Sequence, residues 1–338
     1  MALTDVWFLL IAVLWTGYLV LEGFDFGVGM LLPVVGRDPI DRKVTLKTIG
    51  PVWDGNEVWL LVAGGATFAA FPFWYATLFS GFYLALLIIL VALILRGIAL
   101  EYRGKLDDAT WHRRWDAVIV GSSAVPALLW GVALANIVRG VPMGADHEYA
   151  GTFFTLLNPY ALLGGITTLL LFALHGAIFL ALKTHGEVHD RALKVVPPIG
   201  IATIVAAAGF LGWTQTLDGS WITWLLALAA ALCLIGGLVA SRLGREGWAF
   251  IGTAATIALA AATLFTTLYP NVLPSTTDAA FSLTTVNAAS TAYTLKIMTW
   301  VAVIFTPVVL AYQGYTYWVF RRRLGRSDIP VTAQKANA

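Results

Sequence analysis

Two carboxylates stand close together at the start of an apolar stretch, in residues 51–62. Asp54 and Glu57 are three positions apart, which places them on one face of a helix, and Asn56 lies between them. Glu57 is about 9 Å along that helix from Pro51, within membrane hydrocarbon, where an ionisable side chain marks a functional site. The other interpretation is a charged first turn that the helix dipole stabilises in the headgroup layer. The chemistry that such acids can perform is the uptake and release of protons.

A second pair of acids lies in the first apolar segment of the chain. Glu22 and Asp25 are three positions apart and also share one helix face. Beside them, Gly23 and Gly27 are four positions apart, a spacing that lets another helix approach closely. We therefore expect these acids to face the interior of a helical bundle.

Arg96 is a cation that is expected to lie at the same membrane depth as these acids. Counted from the inner ends of their helices, Asp25, Glu57 and Arg96 fall at one level in the inner half of the membrane, whereas Asp54 and Glu101 lie nearer the cytoplasm. A buried guanidinium needs a partner, and carboxylates at its own depth are the natural ones. The alternative is that its side chain reaches out to the inner headgroups.

These charged residues together allow two interpretations. A chain of acids from the inner surface toward the midplane is typical of a proton relay. The opposing effects of burial and of the neighbouring guanidinium are then expected to leave one acid able to exchange protons near neutral pH. The other interpretation is a structural ion-pair cluster that fixes helix packing.

The composition requires membrane-spanning helices to carry these residues. Of the 338 residues, 59% are hydrophobic and only 12% are charged, against about 25% charged in soluble domains. Successive apolar runs of about 20 residues are each long enough to cross a bilayer. The net charge of +2 gives no indication of nucleic-acid binding. The N-terminus lacks a basic region, so the first run is predicted to be a true span and not a cleaved signal.

The apolar runs predict an all-α polytopic protein with nine transmembrane helices. Of the 21 Lys and Arg residues, 18 fall in the loops after spans one, three, five and seven and in the C-terminal tail, whereas Arg139 alone falls on the opposite side. The positive-inside rule therefore predicts an outside N-terminus and a cytoplasmic C-terminus. The predicted spans are residues 6–32, 52–71, 76–102, 115–137, 160–182, 197–214, 221–241, 247–268 and 293–320.

The histidines and the single cysteine give no metal-ligand pattern. Only His175 lies deep in a span, so no pair of membrane histidines is available to hold a haem, and we expect no metal bound by this chain alone. His185 and His189 stand among charged residues and are interpreted as part of a solvated connector. Tyr312 and Gln313 of the last span either line a polar seam or face lipid. Neither a phosphate-binding loop nor a nucleophile elbow occurs in the sequence.

Several of these motifs together resemble subunit II of cytochrome bd-type quinol oxidases along essentially the whole chain. The most distinctive is the run Trp-Asp-Gly-Asn-Glu-Val-Trp, framed by Trp53 and Trp59. The other motifs that carry the resemblance are residues 23–29, 64–65, 71–75, 79–83, 96–97 and 101–103.

The resemblance implies a fold that composition does not give. Two four-helix bundles are expected, the first within residues 1–137 with the charged motifs and the second at residues 160–268. A peripheral ninth helix at residues 293–320 and a basic cytoplasmic tail at residues 321–338 would follow, all within one integral-membrane domain of the bacterial inner membrane.

The resemblance also implies an activity shared with a partner. The complex would oxidise quinol and reduce oxygen to water, contributing to the proton-motive force, with haems b and d in a separate subunit I and none in this chain. Subunit II would contribute a cytoplasmic proton path through Asp54, Asp25 and Arg96 and an apolar route for oxygen, and in some members it holds a structural quinone. Glu57 stands where some members have Gln. The binding of small single-helix accessory subunits is left open.

A proton-coupled secondary transporter is the alternative function, with the acids binding a coupling ion. Nine spans do not form the usual inverted repeats, and no pair of broken helices occurs at matching positions. The two functions differ in a simple way, because an oxidase subunit is expected to co-purify with a coloured partner.

Overall fold

The computed structural model describes residues 2–329, and these residues form eleven α-helices and one small hairpin. The two strands of the hairpin, β1 (Asn271–Leu273) and β2 (Leu283–Thr284), pair antiparallel. The helices are α1 (Leu3–Val35), α2 (Pro39–Ile49), α3 (Trp53–Ala70), α4 (Pro72–Gly81), α5 (Tyr83–Tyr102), α6 (Ala109–Arg139), α7 (Pro159–Lys183), α8 (Glu187–Asp218), α9 (Trp221–Arg242), α10 (Glu246–Leu268) and α11 (Ala292–Val319).

Eight of the described helices are long and apolar enough to cross a membrane, namely α1, α5 to α11. The second predicted span corresponds to α3, which has 18 residues but carries Asp54, Asn56 and Glu57 in its first two turns. These polar residues lower its hydropathy below that of the others. The all-α membrane fold is therefore confirmed, whereas the count of nine spans and the outside N-terminus stay predictions.

Three local features differ from the sequence-based expectations. The third predicted span is broken at Phe82, between α4 and α5, where Gly81 packs against the Tyr149 ring. A short helix, α2, follows α1, because Asp38 caps its first turn through the backbone of Ile40 and Asp41. The solvated connector predicted around His185 and His189 is shorter than expected, since α8 already begins at Glu187 and includes His189.

α1 packs at the centre of the fold, between α3, α6, α7 and α10. The spacing of Gly23 and Gly27 has the expected effect, because Gly23 lies against the Phe172 ring and Gly27 against the backbone of Gly176 on α7. The close crossing brings the backbones of α1 and α7 together, and the acids of α1 lie toward α3 and α5 instead, where Asp25 meets Asn56 and Glu22 meets Arg96. The buried core runs continuously from α1 to α7, and the division into two four-helix bundles stays a prediction.

The basic loops meet at one end of the helices. Asp41 of α2 is fully buried there and pairs with Arg191 of α8 at 2.7 Å and with Arg326 at 3.0 Å. Arg326 belongs to the segment after α11, whose Leu324 also exchanges backbone hydrogen bonds with Lys183 and His185. Residues 320–329 are therefore docked across this end. The last part of the predicted basic tail, including Lys335, lies outside the described residues.

At the opposite end, the loop after α6 pairs with the loop after α10, through the Val141 amide and the Pro274 carbonyl at 3.0 Å. Shortly before α11, the amide of Ser290 donates to the Ala70 carbonyl at the end of α3, at 2.8 Å. α11 itself is loosely packed, and Leu295 is its only buried residue in the described helix.

Candidate functional site

Three helices bring five polar side chains together inside the bundle. α1 supplies Glu22 and Asp25, α3 supplies Asn56 and Glu57, and α5 supplies Arg96. Glu22, Asp25 and Asn56 are completely buried, and Arg96 is 1% exposed. Glu22 and Asp25 are three positions apart, and this spacing places both acids on the buried face of α1, as the sequence indicated.

Arg96 is paired within the protein. Its Nη2 forms an ion pair with Glu22 and lies 3.4 Å from Glu57 Oε2. Its guanidinium carbon stands 4.7 Å from the centre of the Phe26 ring, within the range of a cation–π contact. The structure therefore shows the internal pairing and not a side chain directed toward the headgroups.

Asn56 connects this cluster to Asp25 and to the last helix. Its Nδ2 donates to Asp25 Oδ2 at 2.7 Å. Its Oδ1 accepts from Gln313 Nε2 at 3.1 Å and from the Tyr317 hydroxyl at 2.7 Å, both on α11. Trp59 completes the group, because its indole N–H donates to Gln313 Oε1 at 3.4 Å. We call Glu22, Asp25, Asn56, Glu57 and Arg96 with Trp59, Gln313 and Tyr317 the polar cluster.

Three of the predicted acidic and aromatic site residues, Asp54, Glu101 and Trp53, lie outside the polar cluster. Asp54 is exposed at the start of α3, one turn from Glu57, and forms no side-chain hydrogen bond or ion pair within residues 2–329. Glu101 is exposed near the end of α5. Trp53 is half-buried and lies next to Gly97 of α5. The depth argument had already placed Asp54 and Glu101 nearer the surface than the other acids.

The contribution of α11 was largely missed from the sequence. The pattern of the last span allows Gln313 either to line a polar seam or to face lipid. In the structure Gln313 and Tyr317 contact Asn56, whereas Tyr312 is 72% exposed. The available signal was the spacing of four between Gln313 and Tyr317, which puts two polar groups on one helix face. No local pattern indicated which helix that face would meet.

The charges of the polar cluster do not balance. Three carboxylates, Glu22, Asp25 and Glu57, stand near one guanidinium, and the side chain of Glu57 alone is partly exposed, at 24%. An uncompensated charge in a low-dielectric interior is costly. A proton bound to one of the acids lowers this cost, and protons on two of them would balance the charge, so the arrangement can store and release a proton.

His175, the only fully buried histidine among residues 2–329, has protein partners at both ring nitrogens. Its Nδ1 lies 2.7 Å from the Thr253 hydroxyl and its Nε2 lies 3.2 Å from the Val20 carbonyl. Its ring stacks on Phe250 with centroids 4.6 Å apart. Both ring nitrogens already have partners, so this residue does not fit the role of an axial ligand. No group of three potential metal-ligating side chains occurs in the part of the chain that the structure describes.

A large apolar pocket lies between α7, α8, α9 and α10. Its volume is about 670 Å³, and Trp221 and Trp224 line it near the start of α9. Almost all of its other lining is aliphatic or aromatic, including Phe172, Phe210, Leu228, Leu234, Ile257 and Ala260.

The fold and the polar cluster define a polytopic α-helical membrane protein with ionisable groups in its interior, and comparison with known proteins specifies the family. The family described as cytochrome bd terminal oxidase subunit II matches residues 3–320. Cytochrome bd ubiquinol oxidase subunit 2 of Bacillus subtilis is 40% identical over 98% of this chain and 99% of its own length. Cytochrome bd-I ubiquinol oxidase subunit 2 of Escherichia coli K12 is 35% identical over 96% of each chain.

A solved structure has the same fold. A chain of the bd oxidase from Geobacillus thermodenitrificans superposes with a TM-score of 0.79 over 95% of this chain and 99% of its own length, at 16% identity. The chain belongs to the cytochrome bd terminal oxidase subunit II family. It is a multi-pass protein of the bacterial inner membrane and a subunit of an oxidoreductase complex, which confirms the resemblance found in the sequence.

Proposed function

We propose that this chain is the haem-free subunit of a cytochrome bd quinol:oxygen oxidoreductase, and that its polar cluster delivers protons from the cytoplasm to the complex. The names of its relatives, ubiquinol oxidase subunit 2 in two bacteria, support the quinol-oxidising activity. Reduction of oxygen to water consumes protons, and a subunit with carboxylic side chains inside the membrane would supply them.

The arrangement of the acids by exposure is the observation that carries the proton path. Asp54 is exposed at the start of α3, Glu57 is partly exposed one turn further on, and Glu22 and Asp25 are completely buried. Glu57 and Glu22 both contact Arg96, so the guanidinium holds the two carboxylates near each other. Protons would pass from Asp54 through Glu57 to the buried pair, as in other membrane proton relays.

The outward face of α3 and α5 supports a partner subunit at this site. Asp54 and Glu57 open onto a face that is otherwise apolar, and a carboxylate facing lipid would be costly. A haem-bearing subunit I covering this face would remove that cost and receive the protons. The exposed apolar side chains of the face are Val58, Leu61, Val62 and Phe68 on α3 and Leu84, Leu87, Ile88, Val91, Ile94, Leu95 and Ile98 on α5.

The engagement of His175 supports haems that are held by the partner. Both of its ring nitrogens have protein partners, and Thr253 and Val20 would have to be displaced before it could bind iron. Haems b and d would therefore belong to subunit I, where they would supply the electron transfer and oxygen chemistry of the complex. This chain would bind and release protons at its own carboxylates.

The apolar pocket between α7 and α10 favours a second role, as an oxygen route. Oxygen is apolar and partitions into such a space, whose lining has few polar groups. Ala231→Phe would fill part of the pocket and raise the KM for oxygen, while the rate at saturating oxygen and quinol would stay unchanged. An unchanged KM contradicts this role, and loss of a co-purified quinone in the same variant would assign the pocket to a structural quinone.

The proton path is tested by replacing its buried acid in the complete complex. Asp25→Asn should slow quinol-dependent oxygen uptake by about 10²-fold, the usual effect of removing a positioned proton acceptor, while the haem spectra persist. Asp54→Asn should act in the same direction. The matched control is Asp107→Asn, since Asp107 is exposed in the α5–α6 loop. Full turnover in Asp25→Asn would remove this residue from the path.

The transporter alternative predicts a chain that works without a coloured partner. Family membership over residues 3–320 favours the oxidase. An absorption spectrum of the chain purified with and without its co-expressed partner distinguishes the two functions, since only the oxidase subunit gains haem bands when the partner is present.

A further inference from the structure

The two carboxylate oxygens of Asp25 have different surroundings. Oδ2 accepts a hydrogen bond from Asn56 Nδ2 at 2.7 Å. Oδ1 is buried and has no hydrogen-bond partner in the described part of the chain. A buried polar atom without a partner is rare in proteins and calls for an explanation. The difference depends on Asn56, because an amide can present either its oxygen or its nitrogen to a neighbour.

All the hydrogen-bonding capacity of Asn56 is used. Nδ2 donates to Asp25 and, at 3.4 Å, to the Leu21 carbonyl. Oδ1 accepts from Gln313 and from Tyr317, at 3.1 and 2.7 Å. An amide has two donors and two acceptor positions. The side chain is therefore satisfied in this one orientation.

Trp59 fixes the direction of this hydrogen-bond chain. An indole nitrogen can only donate, so Gln313 must present Oε1 to Trp59 and its Nε2 to Asn56. Asn56 in turn presents Oδ1 to α11, and its Nδ2 is left to face Asp25. Every bond in the series thus points the same way, and such series strengthen one another.

We infer that Gln313 and Tyr317 are positioning residues for the proton path. They hold Asn56 so that an N–H always faces Asp25 Oδ2, and this leaves Oδ1 as the atom that takes the proton. Uptake forms an O–H bond at Oδ1 from an incoming proton, and release returns that proton to the next acceptor with the carboxylate restored. The inference rests on the proposed function, because it names the atom of Asp25 that the path uses.

Other charged and titratable groups also surround this carboxyl. Glu22 shares its helix face, Arg96 and Glu57 approach from α5 and α3, and the Tyr317 hydroxyl approaches from α11. None of them forms a hydrogen bond with Oδ1 within residues 2–329. The orientation of Asn56 is therefore the feature that distinguishes the two oxygens.

Infrared difference spectroscopy of the complete complex tests the inference. The carbonyl band of protonated Asp25 is identified by its loss in Asp25→Asn. In Gln313→Leu and in Tyr317→Phe that band should shift or split, because Asn56 can then turn its oxygen toward the carboxyl. Oxygen uptake should fall by about 2- to 10-fold, the effect of one hydrogen bond, and Trp59→Phe should give the same spectral change.

The controls lie on the same helix as the positioning residues. Tyr315 and Trp300 are each 62% exposed on α11, and Tyr315→Phe and Trp300→Phe should leave both the band and the rate unchanged. An unshifted Asp25 band in Gln313→Leu and Tyr317→Phe overturns the inference. Should Gln313→Leu fail to assemble, Tyr317→Phe decides alone, since it removes one oxygen atom. A shifted band together with full turnover in Asp25→Asn would support the positioning and reject the proton path.

Discussion

The crossing of α1 and α7 gives a quantitative prediction for Gly27. A Cβ added there would lie 2.0 Å from the Phe172 carbonyl oxygen and 2.7 Å from Gly176 Cα, whereas real Cβ atoms essentially never approach within 3.0 Å. Both obstacles are backbone atoms, so no side chain can rotate away. Gly27→Ala must therefore push the two helices apart by about 1 Å, as overpacked cores do.

The expected cost of this separation is about 1–3 kcal/mol, which is about a 5- to 150-fold loss in the ratio of folded to unfolded protein. Gly176→Ala should cost a similar amount, because its Cβ would lie 2.4 Å from the Gly27 carbonyl carbon. The double variant should cost less than the sum of the two, since one separation of the helices relieves both contacts. Since Gly27 is two residues from Asp25, oxygen uptake should fall as well.

Thermal unfolding of the purified complex, followed by its haem absorbance, measures this cost. Gly121→Ala in α6 is the matched control, because a Cβ there meets nothing within 4 Å. Alanine is favoured over glycine in a helix by about 1 kcal/mol, so the control should be as stable as the parent or slightly more stable. Equal unfolding temperatures for Gly27→Ala and Gly121→Ala would refute the reasoning, as would full additivity of the double variant.

Two further predictions concern ion pairs. Arg96→Leu leaves Glu22 buried without its partner and should destabilise the complex by about 3–5 kcal/mol, seen as a lower yield of assembled oxidase, and adding Glu22→Gln should restore most of that yield. The second prediction concerns Asp38, which is exposed and pairs with Arg326. Its slight burial would raise its pKa, but hydrogen bonds from the Asp41 backbone and from Arg326 outweigh this effect and hold the pKa below its ordinary value. The pair of Asp38 and Arg326 should therefore stabilise the docked residues 320–329 fully at neutral pH and lose this effect only as the pH falls through the lowered pKa. Amide exchange in residues 324–328 should accelerate in that acidic range. Exchange that accelerates already near neutral pH would contradict this assignment.

Much of the polar cluster could be predicted because depth in a membrane is countable along a helix. The rise per residue placed Asp25, Glu57 and Arg96 at one level, and the cost of an unpaired buried charge indicated that Arg96 would meet an acid. The acid that pairs with Arg96 could not be derived from the sequence, since Glu22 and Glu57 both lie within reach of α5. The structure shows Arg96 in contact with these two, whereas Asp25 is connected through Asn56.

Other features could not be read from the sequence for physical reasons. The meeting of α11 with α3 depends on contacts between segments about 250 residues apart, and no local pattern encodes them. The early start of α8 was hidden because charged residues from Glu187 to Lys194 resemble a solvated loop as much as an amphipathic first turn. The break at Phe82 interrupts an apolar run whose hydropathy stays high on both sides.

The docking of the last helix has a consequence for how the protein is made. The side-chain oxygen Oδ1 of Asn56 enters the membrane with α3, but the residues that donate hydrogen bonds to it, Gln313 and Tyr317, are synthesised far later, on α11. Until that helix is inserted, a buried acceptor in hydrocarbon has no donor, which membrane interiors penalise strongly. The docked residues 320–329 then tie α11 to the loops around Asp41 and Lys183. Insertion of the last described helix is thus the step that completes the interior, and a chain interrupted before it would expose an unsatisfied site to membrane quality control.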